Sequence, residues 1–109
     1  MNTFKNAMLV GVGTAPSGLY TVPSGNTATI IGLSVANKLT QQVYVDITLY
    51  DASASKSAYI GKNIPLPVGS SVIVVGGEHK IVLESGDSIV VNSNAEASVD
   101  VIMSILQIS

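Results

Sequence analysis

The sequence predicts an all-β protein, a single antiparallel β-sandwich of about eight strands with Greek-key or jelly-roll-like connections. Three observations carry this. First, apolar and polar residues alternate with a period of two: Val43, Val45, Ile47 and Leu49 fall on one side, Tyr44, Asp46, Thr48 and Tyr50 on the other. A pleated strand segregates such residues, whereas a helix mixes them. Second, β-branched residues dominate every apolar run, which favours strands over helices. Third, Gly, Pro, Asn, Ser and Asp clusters separate the runs at intervals too short for helical crossovers.

The first strand is expected at 7–12, AMLVGV. Lys5 precedes this run, the charge order of a secretory signal, but the run is short and interrupted by Gly11, so a strand is the better reading. GVGTAPSG at 11–18 has the glycine spacing of a phosphate-cradling loop without its Gly-Lys-Ser/Thr ending or a following helix, so it is a connection. Further strands are expected at 27–36, 42–50, 57–62, 71–75, 79–84, 87–92 and 97–108. Between them DASASKSAY (51–59) reads as a surface loop, Gly76-Gly77 as a tight hairpin, ESGDS (84–88) as a second, and NSNAEAS (92–98) as a longer turn. Three hairpin connections would then join the last four strands.

Related wording recurs three times, as VPSGNTATII from Val22, LPVGSSVIVV from Leu66 and LESGDSIVVN from Leu83. Each places a glycine (Gly25, Gly69, Gly86) ahead of small polar residues and a β-branched run. Glycine supplies a positive φ without steric cost, so the phrase encodes a turn that feeds a strand.

The last strand differs from the others. Val99, Val101, Met103 and Ile105 line one side, yet the other side, Asp100, Ile102, Ser104, Leu106 and Ile108, also turns apolar. A sandwich strand buries one face, so Ile102, Leu106 and Ile108 need a second cover. That cover is either a neighbouring subunit or the run Ala7–Val12 folding across them, and Met8 and Leu9 join the candidate interface on this account.

Composition narrows the function. With 109 residues the chain supports one core. Hydrophobic residues make up 47% and charged ones 11%, against about 25% charged in ordinary domains. A surface so poor in charge is expected to associate with copies of itself. There is no arginine and the five lysines are scattered, which argues against nucleic-acid binding. No cysteine is present, excluding thiolate chemistry and Cys-based metal sites. No apolar run is long enough to span a membrane as a helix.

Catalytic candidates are thin. His79, the single histidine, sits between Glu78 and Lys80 after the Gly-Gly pair. It is read as a solvated turn residue rather than a general base. Glu84 and Asp87 bracket ESGD and supply half of a calcium site, but no alternating Asp/Asn pattern completes it, so a turn role is expected. No enzyme activity, cofactor or metal is expected. Tyr44, Tyr50 and Tyr59 are candidate surface contacts, for a subunit or for a glycan as the secondary ligand class.

LYTVPSGNTATIIGLSVAN (19–37) and IPLPVGSSVIVVGGEHKIVLESGDSIVVNS (64–93) resemble small virion structural proteins of tailed bacteriophages, cyanophage-like ones in particular. The likeness rests on a Tyr-x-Val-Pro-x-Gly strand entry, a Pro-x-Gly strand followed by Gly-Gly, and Leu-Glu-x-Gly-Asp before a further β run. It spans about Tyr20 to Ile108. The resemblance implies a non-enzymatic sandwich at 19–109, preceded by an N-terminal arm and first strand at 1–18, and carries over no catalytic or ligand residue. It implies a multi-copy particle component: a capsid decoration (cement) protein, or else a tail or fibre part. Its partners would be itself, with a trimer the expected number, and the major capsid or other virion proteins, assembled in the host cytoplasm.

Overall fold

The computed structural model describes residues 2–76 and 80–109. Nine strands run in order: β1 (Asn2–Val12), β2 (Ser17–Thr21), β3 (Thr27–Asn37), β4 (Val43–Asp51), β5 (Lys56–Leu66), β6 (Ser71–Val75), β7 (Ile81–Leu83), β8 (Ser88–Ser93) and β9 (Val99–Ile108). They form two antiparallel sheets packed face to face. The first has the order β1-β9-β3, with both β6 and β7 on the far side of β3; the second has the order β2-β8-β4-β5. The all-β sandwich expected from the alternation is therefore the fold.

β6 lies against residues 33–36 of β3 and β7 against residues 28–30, both antiparallel to it. They continue one edge in one direction and do not pair with each other, contrary to the hairpin expected at Gly76-Gly77, of which Gly77 lies outside the described residues. Counting that edge as one strand, every connection except the β4–β5 hairpin passes from one sheet to the other. This is the winding of an eight-stranded jelly roll. The expected hairpins joining the last four strands are corrected in the same way: β7–β8 and β8–β9 cross between sheets. β6 and β7 pair with β3, β8 with β2 and β4, and β9 with β1 and β3, all remote in sequence.

The three related phrases are the turns that make such crossings. Asn26 N donates to Pro23 O (3.1 Å), Ser70 N to Pro67 O (3.1 Å) and Asp87 N to Glu84 O (3.0 Å). The third residue of each turn is the glycine, with φ of 84° at Gly25, 67° at Gly69 and 85° at Gly86, as a type II turn requires. The residue before each turn, Val22, Leu66 or Leu83, is buried, so the phrase pins an apolar anchor and turns the chain immediately beyond it.

The core fills the space between the sheets with one face of each strand. Ile30, Leu33, Val35, Val101, Met103 and Ile105 from the first sheet meet Val43, Val45, Ile47, Ile89 and Val91 from the second. Burial of such side chains stabilises by about 1.5–3 kcal/mol each relative to exposure. Polar groups brought inside are satisfied. Asn37 donates from Nδ2 to Gln41 O and Leu66 O, both 2.8 Å, and accepts from Leu39 N. The Ser93 and Ser98 hydroxyls lie 2.6 Å apart. Among the described residues no buried side-chain polar atom lacks a partner.

Several element boundaries differ from the sequence reading. β2 was not expected, because in Ser17–Thr21 only Leu19 points into the core, too little for a visible alternation. β5 runs to Leu66 through Asn63 (φ 51°) and Pro65, which an edge strand tolerates because one side of its backbone is unpaired. The loop expected at 51–59 contracts to residues 52–55, since Lys56 already pairs with Asp51. Asp51 Oδ1 accepts from Ser53 N (3.0 Å), Ser53 Oγ (2.8 Å) and Ala54 N (3.2 Å), an Asx-type turn that folds the tip back on itself.

Candidate assembly surface

The alternation that fills the core leaves each sheet an outward face, and the two faces differ in chemistry. Register fixes which residues share the face of the first sheet. Phe4 pairs with Leu106, Asn6 with Ser104 and Met8 with Ile102 across β1–β9. Across β9–β3, Ile102 pairs with Ser34, Ser104 with Gly32 and Leu106 with Thr29. Ile73 lies beside Ser34, and Val82 beside Thr29.

This face exposes large apolar side chains: Phe4 76%, Ile73 76%, Val10 72%, Val82 66%, Met8 57%, Ile102 52% and Ile108 38%. Together these present on the order of 800 Å² of surface, above the few hundred Å² of an ordinary monomer patch. Among the described residues that register places on this face, Asp100 alone is charged, and it is committed within the chain. Its Oδ1 accepts from Gly11 N at 2.9 Å and from Lys38 Nζ at 3.2 Å. The Gly11 N–H, with the Lys38 charge as the smaller cause, holds the Asp100 carboxyl below its ordinary value of 3.8.

The expected interface residues divide. Met8, Ile102 and Ile108 are exposed on this face, and Leu106 is half-buried there. Leu9 is a correction: it pairs with Val101 on the inner side and packs against the core. The N-terminal run does not fold across Ile102 and Leu106 either. It lies beside β9 as an edge strand, beginning at Asn2 rather than residue 7, so it widens the apolar face instead of covering it. Phe4, Val10, Ile73 and Val82 were not singled out from sequence. Ile73 carried a signal, since in SVIVV (71–75) both alternation classes are apolar, the pattern that marked β9.

The outward face of the second sheet is polar and aromatic. Tyr44 (41%), Tyr50 (39%) and Tyr59 (56%) are exposed there. Tyr59 stands beside Thr48, and Asp46 beside Asn92. Lys62 Nζ sits 4.7 Å from the centroid of the Tyr59 ring. Tyr44 and Tyr50 are six residues apart on β4, about 20 Å along the strand, so the three rings do not form one platform. Tyr44 lines a shallow depression of about 270 Å³ with Asn63 and Asn94. Asn94 Oδ1 accepts from Tyr44 N (2.9 Å), and the Tyr44 hydroxyl accepts from Gln42 Nε2 (3.0 Å).

The acidic candidates serve turns. Oxygens of Asp51, Glu84 and Asp87 come within 4.8 Å of one another. Asp87, buried, accepts from Glu84 N at 2.9 Å and from Ala52 N at 3.3 Å. Asp51 is taken up by Ser53 and Ala54, and the Ser53 hydroxyl is the first cause of its lowered pKa. Backbone donors thus engage both Asp87 oxygens and Asp51 Oδ1. Glu96 likewise binds the Thr14 hydroxyl and Thr14 N, and both lower its pKa. His79 lies outside the described residues.

No family model matches the chain, and no curated protein matches it. Among solved structures it is similar in fold to a chain from Bacillus endospore appendages, a family of disulfide-linked pili, with a TM-score of 0.59 at 13% identity. The superposition covers 99% of this chain and 88% of that one. The likeness is one of fold, a β-sandwich that also occurs in a protein of disulfide-linked pili. No helix among the described residues is long and apolar enough to cross a membrane.

Proposed function

We propose that the chain is a structural protein of a tailed-bacteriophage virion, a capsid decoration (cement) protein that works without enzymatic chemistry or cofactor. The observation that carries this is the outward face of the first sheet, broad and apolar, on which Asp100, held by Gly11 N and Lys38, is the one charged residue that register places there among the described residues. Such a face is stable in water only when covered. A decoration protein covers it by joining copies of itself and adjacent shell subunits, adding buried area at their junctions and opposing expansion of the shell. Affinity in such contacts comes from a few well-packed side chains rather than total area. The sequence resemblance to virion proteins supports the particle. The likeness to a pilus subunit supports multi-copy assembly in general, although a chain without cysteine cannot share disulfide linkage.

The test is the genes flanking this one, followed by labelled-antibody electron microscopy of the particles they encode. Label distributed over heads is the expected result. Label confined to tails moves the protein to the tail or fibre, and unlabelled particles overturn the reading.

A second reading, a glycan-binding module, is favoured by the Tyr44–Asn63–Asn94 depression, where an aromatic ring and two carboxamides meet. Glycan-array binding abolished by Tyr44→Ala supports it; an array without signal removes it.

A further inference from the structure

We infer that a second copy of this chain covers the apolar face, in an isologous dimer whose twofold axis runs parallel to the strands between β3 and β9. This rests on the proposed assembly role of the face and names its occupant.

The argument is steric and comes from register. Outward side chains on β9 alternate large and small: Ile102, Ser104, Leu106. Those on β3 alternate in the opposite phase. Ser34 stands beside Ile102 and Thr29 beside Leu106, while between them the ladder slips, leaving Ile31 as an extra residue next to Gly32, opposite Ser104. Ile31 is half-buried and does not pack against the core. It lines a depression together with Phe4, Lys5, Asn6, Ser104 and Ile105.

A twofold axis along the strands, midway between β3 and β9, preserves the rows and exchanges the columns. Ile102 then faces the partner's Ser34, Ser104 faces the partner's Ile31 and Leu106 faces the partner's Thr29. Each contact sets a large side chain against a small one, and symmetry satisfies all of them twice. Outside this centre, Met8 and Phe4 of β1 come over the partner's Ile73 and Val82. Sheets packed this way lie about 10 Å apart and nearly aligned.

Charge and area agree with this occupant. With Asp100 held by Lys38 and Gly11 N, the described residues that register places on the face oppose no like charges when it meets itself, and Lys5, which pairs with inward Ile105, stands at the edge strand. A partner presenting ionic groups here would bury them without counter-charges. The exposed apolar surface, on the order of 800 Å², is what one member of a standard interface contributes.

The chain has no cysteine, so single cysteines report proximity cleanly. Ser104→Cys places its two α-carbons about 11 Å apart across sheets spaced at the usual distance, with the thiols, pointing into the interface, closer still and within reach of a short bis-maleimide. Ser57→Cys, on the outward face of the second sheet beside Tyr50, serves as control. The isolated protein is expected to give a covalent dimer from Ser104→Cys and none from Ser57→Cys. Ser104→Phe fills the space the partner's Ile31 enters and is expected to weaken dimerisation at least tenfold, although it adds apolar surface. Equal cross-linking at both positions, a monomer throughout, or tighter association by Ser104→Phe overturns the dimer. These measurements use no particle. A dimer with unlabelled virions therefore faults the virion reading alone, and labelled virions with a monomeric isolated protein fault the dimer alone.

Discussion

The two outward faces of this sandwich are built by the same alternation on the same kind of strand, yet one is made of Phe, Met, Val and Ile and the other of Tyr, Thr, Asn and Asp. The inner faces are alike, because both must fill one core. The outer faces are free to differ, so their difference reports what each sheet meets outside the molecule. The second face carries hydroxyls and amides that water satisfies. The first sets its polar residues, Asn6, Thr29, Ser34 and Ser104, among large exposed apolar side chains.

Substitutions separate the two faces, and the largest effect is expected on the first. Ile102→Asp combined with Leu106→Asp places two carboxylates in the centre of the apolar face. It should weaken self-association by at least a hundredfold in sedimentation velocity while circular dichroism shows the fold intact, because neither side chain belongs to the buried core. Thr48→Asp on the second face should change association less than twofold; comparable loss there would erase the distinction between the faces.

An intermediate effect concerns the turns that place both faces. Gly86 holds φ at 85° and an added Cβ would lie 3.3 Å from the Ala52 Cβ. Gly86→Ala should therefore destabilise by about 1–2 kcal/mol, more than Gly25→Ala, where the added Cβ meets nothing within 4 Å. Urea titration of both variants measures the difference, and equal stabilities would contradict the packing around Gly86.

The smallest effect is electrostatic. Folding lowers the Asp100 pKa below 3.8, so its contribution is fully present above the unfolded value and lost as pH falls through the folded one. The wild type should lose stability below about pH 4 more steeply than Asp100→Asn, read as the slope of the thermal midpoint against pH. Parallel slopes would mean the Gly11–Asp100–Lys38 contact contributes nothing.

Much of this architecture is legible in the sequence because the period of two is a direct consequence of the pleat. β3, β4, β8 and β9 could be read from it within a residue or two. The repeated Pro-x-Gly or Glu-x-Gly phrase located three turns, since only a positive φ demands glycine there. What the turns connect was not legible: Gly76-Gly77 has hairpin chemistry, but β6 and β7 both pair with β3, far earlier in the chain. Short Ser17–Thr21 was missed because only Leu19 faces the core. The doubly apolar pattern of β9 announced an apolar outer face, and Met8, Ile102 and Ile108 are exposed on it. Leu9 fell to the inner side because neighbours on a strand point opposite ways. Phe4 and Val82 joined the surface through pairings that no local pattern reveals.

The most direct test is sedimentation equilibrium of the isolated wild-type chain from about 1 µM to about 0.5 mM, a range that brackets micromolar association. A covered face predicts a mass rising above 11.2 kDa toward twice that value, with salt having little influence. A single 11.2 kDa species across the whole range would contradict it.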